Sequence, residues 1–511
     1  MKFHMKSIIG LLLIFTLIMP TFSIAAEIGS YDGGVLGDPT MTENTYEYKE
    51  MFFLTGKPIE LTGTVLVPTA PTAGSTSYSQ AYTYTLQNTA ENITLTRNVT
   101  YDIVEVVNES MQQTTYKADV NTLSEAISVN GTEYTLGGYL FDESRLIDNT
   151  PAVDYFNGNL YAKKKYFING DQITNSGVIT IEVTSDSYVG YEHLWGESET
   201  QVLNYNIEGA IPNATDATQT DIWTGQVTLK MSTLTRNRFK YMETDPQNIS
   251  FRGNYVKTSN DENVLQYTYN LPTVDTSGAV TETSRVEGEV NLRNDIITDN
   301  TSLITSKIRD IGGHWAERSI YLLTSLEVFS ADTSFFGPDL PVNRMDFAKA
   351  ITKSIAEVEP FTQQDLIKRD RQRDREDLYI DVDSDDPELA FVEFVKEKGL
   401  MSGEGDYFMP DRTLRRAEAI TIMVNALGMT HLAPAPPYKT VFADDGDIPN
   451  WSKDAIYVAN EIGLIGGYED GTIRPDKIVT RAEAAAMLET FIYHIKDNIT
   501  YDYREKVINR Y

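Results

Sequence analysis

One register recurs three times in the C-terminal two-fifths of the chain, and it limits the possible folds more than any other feature. Phe336-Gly337-Pro338 leads to Val342-Asn343-Arg344-Met345-Asp346, Phe408-Met409-Pro410 to Leu414-Arg415-Arg416-Ala417-Glu418, and Ile473-Arg474-Pro475 to Val479-Thr480-Arg481-Ala482-Glu483. Each proline precedes its arginine by six residues, and each arginine opens a stretch of helical periodicity. Phe347, Ala350, Ile351 and Ile355 fall at i, i+3, i+4, i+8, and Ile420, Met423, Val424 and Leu427 at i, i+3, i+4, i+7; Ala484, Met487, Leu488 and Phe491 repeat the second spacing. A shorter apolar helix precedes each loop, carried by Ala316, Ile320 and Leu323, by Phe391, Phe394 and Val395, and by Ala455, Ala459 and Ile462. The unit is helix, loop, helix in triplicate, and so small a unit buries its apolar stripe only by stacking on its copies.

The preceding part of the chain has a different grammar. From Glu27 to about Thr305 it is rich in Thr, Tyr, Val and Asn, and its apolar residues alternate: Ile59, Leu61, Val65 and Val67; Ile179, Ile181 and Val183; Val227, Leu229 and Met231. Period two with one buried face predicts strands. Turn signals at Asn169-Gly170, Asn130-Gly131 and Asp32-Gly33-Gly34 separate them, as antiparallel pairing requires. This half is expected to be all-β, one or two antiparallel sandwich-like domains with a boundary near residues 165 and 166 (27–165 and 166–305) and a core of their own. Thr94-Leu95-Thr96-Arg97-Asn98 recurs as Thr233-Leu234-Thr235-Arg236-Asn237. Other shared motifs do not keep their order, so composition accounts for the likeness as readily as duplication.

Residues 1–26 read as a secretory signal. Lys2 and Lys6 give a positive start, Ile8 to Met19 an apolar run, and Ser23-Ile24-Ala25-Ala26 a small-residue cleavage site. The run is shorter than a membrane span and is interrupted by Pro20. No membrane insertion of the mature chain is expected. The chain has no cysteine, which excludes a lipidated N-terminal thiol, disulfides and Cys-ligated metals. Its net charge of -31 argues against nucleic acid and anionic lipid as partners, because phosphate contacts need Lys and Arg.

With Asp310, His314-Trp315-Ala316, Phe442-Ala443-Asp444, Trp451 and Gly466-Gly467-Tyr468 at their places around the repeats, residues 308 to 496 resemble the S-layer homology (SLH) family, most specifically in the Thr-Arg-Ala-Glu of the third copy. The resemblance implies an all-α trefoil of three lobes, at 308–360, 379–430 and 440–496, with a charged insertion at 361–378 and a polar tail at 497–511. It further implies a secreted bacterial protein of the cell wall or S-layer. The implied partner is secondary cell-wall polysaccharide, typically pyruvylated and peptidoglycan-associated, held in grooves between lobes; self-association in a surface lattice is a further expectation.

The residues add their own reading. Thr480 with Glu483 forms a capping box, and Asn343 with Asp346 takes the same places in copy one. Capping does not explain Arg481, Arg416 and Arg344 at the first helical position, where a cation opposes the helix dipole. An arginine above free N–H groups at a helix start suits an anion such as a carboxylate. Gly466 and Gly467 either end the preceding helix or, as in the family, admit a sugar close to the backbone, with Arg474 nearby. Trp315 and Trp451 open the first helices of copies one and three, where they pack on the second helix or stack on sugar. The copies are degenerate: Arg415 displaces the capping residue in copy two, Pro387 stands in place of the Trp there, Ser330-Ala331 replaces the Gly pair in copy one, and Gly337 and Met409 stand where copy three has Arg474.

Other chemistry finds little purchase. Asp381-x-Asp383-x-Asp385 begins like a calcium loop, but Asp386 and Val392 occupy the positions of its glycine and final Glu. His193 is the sole histidine of the β-rich half, so a multi-His metal site is excluded there, and no phosphate-binding glycine loop is present. No cofactor is expected. Two functions remain: a non-enzymatic surface protein anchored by its repeats, or a carbohydrate-active enzyme or carbohydrate-binding protein displayed by them.

Overall fold

The computed structural model describes residues 33–69, 71–72, 75–212, 220–243, 253–274, 280–371 and 378–503. The signal peptide expected at 1–26, part of the charged insertion (372–377) and the chain end (504–511) lie outside the described residues. Thirteen strands run in sequence: β1 (Val35–Pro39), β2 (Thr45–Phe52), β3 (Ile59–Leu66), β4 (Ser77–Asn88), β5 (Ile93–Asn108), β6 (Gln113–Val129), β7 (Thr132–Asn149), β8 (Asp154–Ile168), β9 (Val178–His193), β10 (Gly196–Pro212), β11 (Thr220–Met242), β12 (Asn254–Val274) and β13 (Val280–Ser302). Each pairs with its sequence neighbours in a single sheet. β1 lies alongside β12 and β13, so the sheet curls into a near-barrel. The strands are antiparallel, as their turn signals require, and form one rolled sheet in which residue 165 lies inside β8.

Alternation places Ile93, Leu95, Arg97 and Val99 of β5 inside and Thr94, Thr96 and Asn98 outside. The longer strands bend at register shifts, as between Thr100 and Tyr101, Leu136 and Gly138, and Val202 and Leu203. In β6 the buried set accordingly switches from Thr114, Tyr116 and Ala118 to Leu123, Glu125 and Ile127. An extra residue flips the parity, so a bent strand keeps one face inward.

A barrel of thirteen strands is wider than apolar side chains alone fill, and here ion-paired long side chains cross the interior. Arg97 donates Nη1 and Nη2 to Glu50 at 2.8 and 3.0 Å and Nε to Glu125 at 2.6 Å. Lys164 and the Tyr166 hydroxyl also reach Glu125. Beside them remains a cavity of about 60 Å³. Burial raises the Glu125 pKa, but Lys164, Arg97 and Tyr166 outweigh it and hold the carboxyl at about 2. A second group centres on Arg145, which pairs with Glu143 at 2.7 Å and stacks on Tyr116 and Tyr188. Next to it, Gln201 donates to Glu199 at 2.8 Å. Burial lifts Glu199 to about 7, with Arg145 pulling the other way.

After the barrel come seven helices among the described residues: α1 (Glu317–Ser325), α2 (Arg344–Ile355), α3 (Gln363–Arg371), α4 (Leu389–Glu397), α5 (Arg416–Ala426), α6 (Asn450–Glu461) and α7 (Arg481–Tyr503). α1 with α2, α4 with α5 and α6 with α7 are the three repeats. α3 lies in the charged insertion, tied back by Arg369, which pairs with Glu393 and stacks on Phe361. Residues 497–503, read from sequence as part of a polar tail, continue α7, because Ile495 and Ile499 extend its buried stripe.

Glu199 gives a pH test. Its folded pKa lies above the unfolded value, so its contribution to stability is full below about 4.3 and is lost as pH rises through about 7. Glu199→Gln, read by denaturant midpoints at pH 5 and pH 8, is expected to lose less stability across that interval than the wild type.

Candidate functional site

The three repeats meet in a closed ring of backbone hydrogen bonds. Val342 N–H donates to Val479 O, Val479 N–H to Leu414 O, and Leu414 N–H to Val342 O, each at 3.0 Å. These are the residues two before Arg344, Arg416 and Arg481. Just outside the ring, each second helix starts against the loop of another copy. Arg344 and Met345 donate to the carbonyls of Arg412 and Pro410, Arg416 and Ala417 to Lys477 and Pro475, and Arg481 and Ala482 to Leu340 and Pro338, all at 2.8 to 3.0 Å. The Pro-to-Arg spacing thus has a cause: it sets the loop carbonyls of one copy beneath the first two amides of another copy's second helix.

This corrects the expectation of free N–H groups at the helix starts. The first two amides are used by the neighbouring loop. The third bonds the capping side chain in copies one and three: Asp346 N to Asn343 Oδ1 at 2.7 Å, and Glu483 N to Thr480 Oγ1 at 3.2 Å. Glu483 returns the second bond of its box to Thr480 N at 3.1 Å, and Glu418 does the same to Arg415 N at 2.9 Å. An anion here must be met by side chains.

Each loop is clamped by the aspartate that begins its copy. Asp310 accepts from Phe336 and Gly337 N–H, Asp381 from Phe408 and Met409, and Asp444 from Ile473 and Arg474, at 2.6 to 2.9 Å. Gly337, Met409 and Arg474 share a left-handed backbone, φ 65°, 57° and 53°. The position requires that geometry, which Gly adopts freely and Met and Arg adopt under strain. Partial burial raises the Asp310 pKa, yet the two N–H groups outweigh it and hold it below the ordinary value.

The three arginines differ in what they face. Arg344 is 6% exposed, lies over Phe408 and donates to Phe408 O at 2.9 Å and Ser402 O at 2.8 Å. Arg481 lies over Phe336 and pairs with Asp346 at 2.7 Å. Arg416 lies over Tyr468 and donates to Gly466 O at 3.2 Å; its Nε, like that of Arg481, is buried without a partner. Among the described residues it is the one helix-start arginine with no carboxylate in ion-pair range. The groove of the Gly pair and Arg474 therefore takes its arginine from copy two, not from Arg481 of its own copy.

Around Tyr468 gather Arg416, Arg474 at 4.1 Å from the ring centroid, and Lys477, which donates to the Tyr468 hydroxyl at 3.0 Å and pairs with Glu483. Lys477 stands outside the motif residues named above. Its signal was present in the alignment, because Arg412 occupies the same place in copy two and pairs with Glu418.

The two glycines separate. A Cβ on Gly466 would meet no atom within 4 Å, whereas one on Gly467 would lie 2.9 Å from Thr472 O and 3.0 Å from the Phe442 ring. Neither ends a helix; Gly463, φ +70°, follows the α6 C-cap residue Ile462. Trp315 and Trp451 are 67% and 58% exposed, so packing against the second helix is not their role.

Residues 307–348, 379–420 and 441–485 match the S-layer homology domain, and these three repeats are S-layer homology domains. Similar proteins include the exoglucanase XynX of Acetivibrio thermocellus, 28% identical over 181 residues, which cover 35% of this chain and 16% of that one. The cellulosome-anchoring protein of the same species is 38% identical over 88 residues, 17% of this chain and 20% of that one. The surface layer protein of Brevibacillus choshinensis is 31% identical over 98 residues, 19% of this chain and 9% of that one. The chain thus spans a fifth or less of the length of these curated relatives. No helix among the described residues is long and apolar enough to cross a membrane.

Two substitutions test the site's construction. Gly466→Ala is expected to leave the melting temperature unchanged. Gly467→Ala is expected to cost about 1 to 3 kcal/mol by overpacking, measured by denaturant unfolding.

Proposed function

We propose that the chain is an exported, non-enzymatic surface protein, S-layer or S-layer-associated, held non-covalently to secondary cell-wall polysaccharide by the groove between its second and third repeats. The observation that carries the reading is Arg416: a guanidinium without a carboxylate partner among the described residues, stacked on Tyr468, beside Gly466, the open member of the glycine pair. In a chain of net charge -31 such a cation is a place for an external anion. The pyruvate-ketal carboxylate of a wall sugar fits in charge, with the sugar passing over the open face of Gly466. Arg474 and Lys477 line the groove but are paired with Asp470 and Glu483, which leaves Arg416 as its uncompensated cation, and the exposed rings of Trp451 and Trp315 are surfaces for further sugar contacts. Arg481 contributes less because Asp346 already pairs with it, and Arg344 serves the fold.

The carbohydrate-active alternative calls for two carboxylates facing an open cleft. The acid pairs of the barrel are instead enclosed: Glu143 is bound to Arg145, and Glu50 and Glu125 share Arg97. That arrangement supports a structural role for the barrel.

Binding of the full chain to isolated sacculi is the test. Arg416→Ala is expected to lose about one to two decades of affinity for a monovalent polymer fragment, the worth of one charge-assisted hydrogen bond, with little change in melting temperature. Arg344→Ala is expected to unfold more readily. Equal affinity of Arg416→Ala and wild type would remove the assignment, as would undiminished binding to sacculi stripped of the secondary polymer.

A further inference from the structure

The barrel and the trefoil share more than a linker. At the end of β7 the chain turns through Thr150 to Val153 into β8, and Ala152 N–H donates to Ala426 O at 2.9 Å. At the turn from β9 to β10, the indole Nε1 of Trp195 donates to Ser354 O at 2.9 Å. Ala426 and Ser354 are equivalent under the repeat, each ten residues after its helix-start arginine. Both carbonyls lie in the last turn of a helix, where they have no acceptor role within the helix. The third equivalent, Phe491, sits inside α7, whose continuation to Tyr503 uses its carbonyl. There the contact is made by rings instead, Phe239 of β11 against Tyr493 at 6.3 Å.

The barrel therefore meets the same end of all three second helices. Ala152, Val153, Tyr155, Tyr191 and Trp195 are buried in one cluster with the trefoil core, apart from the core of the barrel itself. Gly428 marks how close the two parts come: its φ is +67°, and a Cβ there would lie 2.9 Å from Thr150 Cγ2. The arginines stand at the opposite ends of these helices, about 15 Å away for ten residues at 1.5 Å each.

We infer that the barrel is a fixed stand-off: it caps the C-terminal pole of the trefoil and leaves the arginine-bearing N-terminal pole free, so that wall polymer and barrel occupy opposite poles with no hinge between them. The wall orientation rests on the function proposed above; the rigid seam does not. A chain joined this way unfolds as one unit, because separating the halves exposes Trp195, Ala152 and Val153 and leaves two helix ends uncapped.

The full chain has no cysteine, so Thr94→Cys with Glu397→Cys gives a defined spin-label pair across the seam. A single narrow distance distribution is expected, unchanged on sacculi. Trp195→Ala is expected to lower the melting of helical and strand signals together, and Trp195→Phe, which keeps the ring and loses the donor, to lower both by less. A broad distribution in the wild type, or a helical transition that Trp195→Ala leaves unmoved, overturns the seam. A narrow distribution in a chain that does not bind sacculi overturns the wall orientation alone.

Discussion

The ring of three backbone hydrogen bonds joining Val342, Val479 and Leu414 is the constraint on which the C-terminal half depends. Each residue donates to one copy and accepts from the other, so no copy completes its pairing alone. The ring fixes where the second helices begin, and the loop carbonyls of Pro338, Pro410 and Pro475 then take the amides that follow. The aspartate clamps hold those loops in a left-handed turn that Met409 and Arg474 adopt against their own preference. Three copies of one unit are thereby locked into a trefoil, with an arginine at each junction.

The junctions are alike in backbone and unlike in charge. Arg344 spends its donors on Phe408 and Ser402 carbonyls and becomes part of the core. Arg481 faces Asp346, where copies two and three have Glu engaged by Arg412 and Lys477. Arg416 faces an aromatic ring and an open glycine. Degeneracy of the copies has left the grooves chemically distinct on a scaffold that remains threefold. The barrel follows that threefold symmetry on the other pole, through Ala152, Trp195 and Phe239, although it has no threefold symmetry of its own.

Much of this was legible in the sequence, and what was missed shares one physical origin. Helical stripes such as Ile420, Met423, Val424 and Leu427 arise from neighbours along one chain segment, and the Pro-to-Arg spacing is likewise local. Strand alternation in the first half was local too. The pairing of Arg416 with the third copy's Gly466 was not legible, because it crosses copies, and local spacing relates residues only within one copy. The use of the helix-start amides by another loop was hidden for the same reason. In the barrel, the register shifts that invert β6 leave no mark in a Thr-rich strand, and Glu125 or Arg145 at inward positions read as surface charge until the sheet closes around them. The exposure of Trp315 and Trp451 was undecidable from a helix whose first turn has only one side packed.

The central claim is that one groove, formed by Arg416 with Tyr468 and Gly466, holds the wall polymer. Titration calorimetry of the full chain with a purified, monovalent fragment of that polymer bears on it most directly, run beside the same fragment with its ketal carboxylate removed. The account predicts one site per chain and loss of most of its affinity when the carboxylate is gone. Three equivalent sites, or a fragment bound equally well without its carboxylate, would contradict it.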